Sequence, residues 1–337
     1  MQQTAPMTPI PFFDAITAYQ RSAALKSAIE LGLFTHIGRG SDTAAAMAPA
    51  AGASERGVRI LCDSLTVMGF LMKENGRYRL NEMSAAFLDA NSPTYVGGAA
   101  DFLMSEAQMR GFQDLTNTVR RGGAAPEGNA SMAADSEMWV KFARGMMPFI
   151  YPMAEMTAAH IGFPPDAELK VLDVAAGHGI FGILTASKFP NAVVYGADWP
   201  NVLEVAKENA ERFGVAGRYH TIEGDAFDTD FGTGYDVILV PNFLHHFDAE
   251  RCTEFLRKCN SALKDNGKVI TVEFVPNDDR VSPPMEAMFA LVMLAGTPSG
   301  DAYTFSELKK MCDDAGFARN EHVPLDPMPS HLVISMK

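Results

Sequence analysis

Four apolar runs in the second half of this 337-residue chain each lead into residues that could do chemistry. Val171-Leu172-Asp173-Val174 carries a carboxylate towards a glycine loop, Gly177-x-Gly179-x-x-Gly182. Tyr195-Gly196-Ala197-Asp198 ends on a second acid, 21 residues after Gly177. The strand-like segment Arg218–Glu223 opens into Gly224-Asp225-Ala226-Phe227, and the fourth run closes on Asn242-Phe243-Leu244-His245-His246-Phe247-Asp248. A strand, a tight glycine turn and a helix start bring backbone N–H groups up to a nucleotide-like ligand. With a later acid, that spacing also fits a nicotinamide cofactor, and by itself it is weak. Asp173 points elsewhere, because a carboxylate four residues ahead of the first glycine would meet a pyrophosphate with like charge. It suits a cationic ligand with an amino acid part. Asp225 can accept from an exocyclic amine, and Phe227 can pack on a flat base.

Three carboxylates at three successive strand ends, with no lysine or arginine in the loop, read as a site for S-adenosylmethionine. Gly177 and Gly179 would admit its amino acid end beside Asp173, Asp198 its ribose, and Asp225, Ala226 and Phe227 its adenine. Trp199 would pack on the adenosine, and Asn242 completes the cofactor set. The competing reading of any single acid is a cap on the following helix.

A methyl group leaves a sulfonium by in-line displacement, so the protein's tasks are alignment and activation of the acceptor. A phenol has a pKa near 10 and is mostly protonated at neutral pH, so a base poised nearer neutrality helps, and histidine is the natural choice. Glu273 ends the next strand-like run, 28 residues after His245. Adjacent parallel strands would set it beside that histidine, where it can accept from one ring N–H. Two adjacent histidines could hint at a metal, but neighbouring side chains diverge and no third ligand has suitable spacing. No metal is expected, and His246 reads as structural, at a helix start.

These residues need a scaffold. Residues 165–337 alternate strand signals (near 169–175, 192–197, 217–222, 235–241 and 267–275) with helix signals (near 180–188, 201–213, 249–263, 283–295 and 305–315). A strand pair near 317–323 and 331–336 ends the chain. This predicts an α/β, doubly wound, largely parallel sheet with its ligand at the carboxyl ends of the strands. Residues 14–36, Thr43 to Ala51, and a helix capped by Ser54 and running to about Met68 precede two short strands, 69–72 and 77–80. Three helices and a hairpin make a winged helix. The expected domains are 1–93, a helical connector 94–164 with a loop at Gly122–Gly128, and 165–337.

Charge limits the partners. Residues 1–100 carry 8 basic and 8 acidic residues, so the net charge of −13 falls on the remainder. Neither part offers a basic surface for nucleic acid or anionic lipid, which argues against a winged-helix regulator. No apolar run reaches the roughly 18 to 20 residues of a membrane span. The N-terminus lacks a basic region followed by an apolar core, so no signal peptide is read there. Four scattered cysteines read as core thiols in a reducing cytoplasm.

In the order and spacing of its blocks the chain resembles the small-molecule O-methyltransferases typified by plant caffeic acid and bacterial secondary-metabolite enzymes. The N-terminal blocks are AIELGLF, TAAAMAPAAGAS, RILCDSLTVMGFL and GRYRLNEMSAAFL; the C-terminal ones are VLDVAAGHG, GDAF, NFLHHFDAERC, LKDNGKVITVEF and AYTFSELKKMCDDAGF. The resemblance implies methyl transfer to a hydroxyl of a small aromatic metabolite, with S-adenosylhomocysteine as product. It puts His245 at the base position and Glu273 at that of its orienting carboxylate. It also implies a dimerisation role for the winged helix, hence a homodimer, and an antiparallel last strand. The connector would contribute Phe142, Met146, Met147 and Phe149 to the acceptor pocket, joined by Met288 and Phe289; the competing reading of such a stripe is plain core.

Three positions depart from the family. His246 replaces a usual Asp, Pro241 stands where plant members carry a Lys, and Ala302 where they carry a second Glu, with Asp301 one residue earlier. The departures leave N- or C-methylation, or other chemistry on the same cofactor, as alternatives. A nicotinamide-dependent oxidoreductase is the alternative of another class.

Overall fold

The computed structural model describes residues 7–125 and 137–337. Pro126 to Gly128, the end of the expected connector loop, lie outside the described residues. The chain divides into two compact units, 1–100 and 101–337.

In the first unit, α1 (Ile10–Ile16), α2 (Ala18–Glu30), α3 (Leu33–Gly38), α4 (Ala44–Ala50) and α5 (Glu55–Val67) precede an antiparallel hairpin of β1 (Leu71–Glu74) and β2 (Arg77–Leu80), and α6 (Glu82–Phe87) follows. Thr43 caps α4 by accepting from Ala46 N–H, and Ser54 caps α5 by accepting from Gly57 N–H. Asn75 and Gly76 both have positive φ (49° and 77°), which a two-residue hairpin turn demands. Leu33, Phe34, Met47, Cys62, Leu65 and Tyr78 form its core. The basic groups of this unit are largely spoken for: Arg59 and Lys73 both pair with Asp63, and Arg77 pairs with Asp42.

The boundary falls within α7 (Ala100–Leu103), and the second unit continues with α8 (Glu106–Gln113), α9 (Leu115–Arg121) and α10 (Glu137–Ala159). Strands β3 (Lys170–Val174), β4 (Val193–Asp198), β5 (Tyr219–Glu223), β6 (Tyr235–Pro241) and β7 (Leu263–Glu273) then alternate with α11 (Ile180–Lys188), α12 (Pro200–Arg212) and α13 (Ala249–Ala262). After α14 (Pro284–Gly296) and α15 (Phe305–Asp314), β8 (Arg319–Pro324) and β9 (His331–Met336) close the chain. The seven-stranded sheet runs β5-β4-β3-β6-β7-β9-β8, and all its pairings are parallel except β7–β9 and β8–β9.

Every residue of β6 is buried, as an inner parallel strand covered on both faces requires, and that is why its sequence is an unbroken apolar run. Alternation sorts the two faces. Val171, Val237, Leu239 and Ile270 pack with α10 and α11, whereas Leu172, Ile238, Val240 and Val269 pack with Phe255, Leu256 and Cys259 of α13 and Met311 of α15. All four cysteines are free and buried. Among the described residues no helix is long and apolar enough to cross a membrane.

Several boundaries differ from expectation: β1 runs Leu71–Glu74 rather than 69–72, and the helical span expected over 14–36 is divided among α1, α2 and α3. β7 starts at Leu263, four residues early, because Lys264, Asp265 and Asn266 extend the strand while exposed, and their polarity hides it. α1 begins at Ile10 rather than near residue 14, and none of its residues is buried.

Candidate active site

β4 and β6 flank β3 on opposite sides, so the chain reverses direction across the sheet at β3, the place where such sheets leave a crevice. The two loops at that edge each contain a non-glycine residue with positive φ: Ala175 (50°) after β3 and Asn242 (53°) after β6. Backbone strain of this kind persists only where the surroundings enforce it. Asn242 N–H donates to Val272 O at 2.8 Å, which holds the β6 exit against β7.

Asp198 ties three loops together. Its Oδ2 accepts the Gly177 N–H at 2.8 Å, its Oδ1 accepts the Trp199 N–H at 2.7 Å, and its carbonyl accepts the Gly224 N–H at 3.0 Å. Each carboxylate oxygen keeps a second lone pair for a ligand hydroxyl. Burial pushes this carboxyl up to about 6, against the two N–H groups that favour the anion. Asp225 Oδ1 accepts the Phe227 N–H at 2.7 Å. The Phe227 ring packs with Phe243, Phe247 and Phe255, and the Arg251 guanidinium lies 3.9 Å from its centroid. Trp199 packs beside Trp139, Val202 and Val205.

Asp173 is fully buried, and its Oδ2 accepts the Gly182 N–H at 2.9 Å, a bond to the first turn of α11. Burial pushes this carboxyl up to about 8. The glycines of the loop differ in duty. Gly177 (φ 58°) faces open space, with only Ala175 O near a hypothetical Cβ, so it offers the bare backbone a ligand needs. At Gly179 (φ 73°) a Cβ would lie 2.8 Å from Tyr219 Oη, so this glycine serves close packing. Asp173 Oδ1 and His178 Nε2 are buried polar atoms without a partner. An open glycine cradle, three acids and unpartnered polar atoms in one loop cluster fit a ligand that carries both a nucleoside and an amino acid.

At the neighbouring strand ends the structure brings His245 and Glu273 together. His245 lies in a 3₁₀ turn, Leu244–His246, between β6 and α13, and Glu273 is the last residue of β7. Nδ1 of His245 is 2.5 Å from Glu273 Oε2, with both side chains buried. Glu273 Oε1 also accepts the N–H groups of Phe243 (3.1 Å) and Leu244 (2.8 Å). With its proton on Nδ1, a neutral imidazole satisfies the carboxylate and presents the Nε2 lone pair.

Asp301 does not stand in for a second carboxylate at this imidazole. Its Oδ2 pairs with Arg280 at 3.1 Å and its Oδ1 accepts the Ala302 N–H at 2.8 Å, while its backbone N–H donates to His245 O. His246 is not the cap of α13 either; Asp248 is, through Arg251 N–H. Its ring lies 4.3 Å from that of His245 and edge-on to Trp139, and burial, then the neighbouring His245, push its pKa well below the usual value.

A line of rings joins the glycine loop to this pair: His178, Phe142, Trp139, His246, His245, Phe289 and Phe274, with successive centroids 4.1–6.3 Å apart. Met146, Met147 and Phe149 are half-buried against the core on α10. Phe289 stands edge-on to His245 at 4.9 Å, whereas Met288 is 61% exposed. Sequence reasoning overlooked His178 and Lys258. Lys258, on α13, donates to the carbonyls of Ala226, Phe227 and Thr229 at 2.6–2.8 Å and pins the Asp225 loop. No local pattern marks it, because its partners lie about 30 residues away.

Residues 131–318 match the model of an O-methyltransferase domain, and residues 13–90 that of an O-methyltransferase dimerisation domain. The 3-hydroxy-5-methyl-1-naphthoate 3-O-methyltransferase of Streptomyces sahachiroi is 29% identical over 90% of this chain and 88% of its own length. A crystal structure of a putative O-methyltransferase from Nostoc punctiforme is 46% identical, with a TM-score of 0.94, covering 99% of this chain and all of that one. Human N-acetylserotonin methyltransferase, solved in complex with S-adenosylmethionine, shares the fold at 21% identity and a TM-score of 0.85, over all of this chain and 99% of its own.

Proposed function

The chain belongs to the O-methyltransferase family, whose methyl donor is S-adenosylmethionine, and from that premise we propose that His245, held by Glu273, is the general base for methylating a hydroxyl of a small aromatic metabolite. The observation that carries this reading is the buried 2.5 Å contact between His245 Nδ1 and Glu273 Oε2. Bound S-adenosylmethionine supplies an electrophilic methyl group. His245 Nε2 would take the hydroxyl proton, freeing the acceptor oxygen's electron pair for the methyl carbon as the sulfur–methyl bond breaks and its pair stays on sulfur, and Glu273 would stabilise the resulting imidazolium.

Asp198 and Asp225 hold ribose and adenine beside Trp199, Ala226 and Phe227. Gly177, Gly179, Asp173 and Asn242 frame the amino acid end. Phe142, Met146, Met147, Phe149 and Phe289 bound the acceptor, whereas the exposed Met288 lies outside that wall. The line of rings suits a flat acceptor, and the hydroxynaphthoate in the Streptomyces relative's name is of that kind. Residues 1–93 serve dimerisation, 94–164 the acceptor wall, and 165–337 the cofactor and the chemistry. The product is S-adenosylhomocysteine, and a reducing cytoplasm accords with four free buried thiols.

The test is His245→Ala, assayed for methyl transfer to a panel of phenols and naphthols and titrated with S-adenosylhomocysteine. Turnover is expected to fall roughly 10²–10⁴-fold with cofactor affinity within about two-fold of wild type. A variant that keeps its rate would remove the base assignment.

A further inference from the structure

His178 has no part in the proton transfer. It lies between Gly177 and Gly179 at the entrance to the nine-residue helix α11, and it is 3% exposed. Its Nδ1 accepts the Ile180 N–H at 3.2 Å, so that nitrogen carries no proton and the ring proton sits on Nε2. The position is well held. Its carbonyl accepts from Asn209 Nδ2 at 2.8 Å, and the rings of Phe142 and Phe181 flank the imidazole, each 6.3 Å away. Burial lowers its pKa to about 4, so at neutral pH it is an uncharged, fixed donor. Its Nε2 is enclosed and has no partner. A buried N–H left unpaired is costly and rare, and it calls for an acceptor that the protein itself does not supply.

The surroundings say which acceptor. The Ile180 N–H is one of the free first-turn donors of α11. By accepting it on Nδ1, the imidazole carries the positive end of the helix outward to Nε2–H, which favours an anion. Neighbouring donors are already taken: Gly177 N–H by Asp198, Gly179 N–H by Ala176 O and Gly182 N–H by Asp173. From Ala175 to Gly182 there is no lysine or arginine to meet a carboxylate.

We propose that His178 Nε2–H binds the carboxylate of the methionyl tail of the cofactor. The inference rests on the reading that this tail lies over Gly177–Gly179. Because Nε2 is enclosed, the tail reaches it by displacing a neighbouring side chain, and of the two rings that flank the imidazole Phe142 on α10 is half-buried whereas Phe181 is fully packed in the core.

The experiment compares two ligands by calorimetry. S-adenosylhomocysteine carries the amino acid tail; 5′-methylthioadenosine has the same nucleoside and a thioether without it. The proteins are wild type, His178→Phe, the smaller His178→Leu, and His178→Gln, which keeps a donor. Loss of one hydrogen bond to a charged group corresponds to roughly ten- to hundred-fold in affinity. The apolar variants are expected to lose that much for S-adenosylhomocysteine while binding methylthioadenosine within about two-fold of wild type, which also shows that they fold. His178→Gln is expected to recover part of the loss. Equal losses for both ligands, or none for S-adenosylhomocysteine, would overturn the inference. A wild-type protein that binds the two ligands equally tightly would overturn the placement of the tail, and the inference with it.

Discussion

Glu273 is a carboxylate with little freedom left. Two backbone N–H groups hold one oxygen and the His245 ring holds the other, so the imidazole cannot turn without breaking a buried contact. Glu273→Gln keeps the shape but gives the Nδ1 side an amide that can favour the wrong tautomer. Turnover is expected to fall at least about 100-fold with S-adenosylhomocysteine affinity unchanged; single-turnover methyl transfer beside calorimetry checks this, and a near-wild-type rate would show that the carboxylate is only structural. Asp173 gives a pH effect whose sign can be worked out. Its carboxyl ionises near 3.8 when free and near 8 in the fold. Between those values the folded protein keeps a proton that the unfolded chain has lost, so stability falls as pH rises through that window and levels off above about 8. Asp173→Asn carries no such ionisation. Ligand-free Asp173→Asn is expected to melt at a higher temperature than wild type at pH 9, with the gap closing by pH 4. Melting curves that stay parallel across that range would refute the buried, proton-holding acid.

At the scale of elements, the site depends on loops held by side chains far away in sequence. Lys258 on α13 spans to three carbonyls of the Asp225 loop, and Lys258→Met removes all three bonds while keeping most of the side chain's length. It is expected to weaken S-adenosylhomocysteine about ten-fold and to leave the His245–Glu273 pair intact; a calorimetric affinity equal to wild type would show that the loop holds itself. Gly300 is the matching position on the other side. A Cβ there would lie 2.2 Å from His245 O, so Gly300→Ala must push the Thr297–Asp301 segment off the histidine's backbone. The expected result is lost turnover with retained cofactor binding, read from paired rate and binding measurements. These dependences explain what the sequence does and does not reveal. β6 is legible because an inner parallel strand must be apolar throughout, and β3, β4, β8 and β9 lie within two residues of the expected spans for related reasons of alternation and flanking glycines. Asp198 is legible because it sits where an apolar run stops, Asp173 because it interrupts one, and Asp225 and His245 because they follow one within a few residues. Lys258 is not, because its partners come from another part of the chain; nor is the orientation of His178, which is set by the Ile180 N–H together with Asn209 on α12 and Phe142 on α10. Nor could helical spacing tell Phe289, which touches His245, from Met288, which is 61% exposed, since both are large and apolar.

At the scale of the whole molecule, nothing among the described residues covers α1. This seven-residue helix buries none of its residues, and Ile10, Phe12, Phe13 and Ile16 are 57–64% exposed, with Tyr19 on α2 alongside them. A helix that short is not stable by its own hydrogen bonds in water. An exposed cluster of this kind marks a contact surface. Residues 13–90 match a dimerisation domain, and the first 100 residues carry no net charge, so two copies can approach without the repulsion that the acidic remainder would impose. A homodimer whose contact buries this cluster is the expected arrangement. Phe12→Glu combined with Phe13→Glu places two charges per copy in the contact while leaving the cores of both units untouched. Sedimentation is expected to show a dimer for wild type and a monomer for the double variant. The melting temperature should rise with protein concentration for wild type alone. A double variant that still sediments as a dimer would move the interface away from α1.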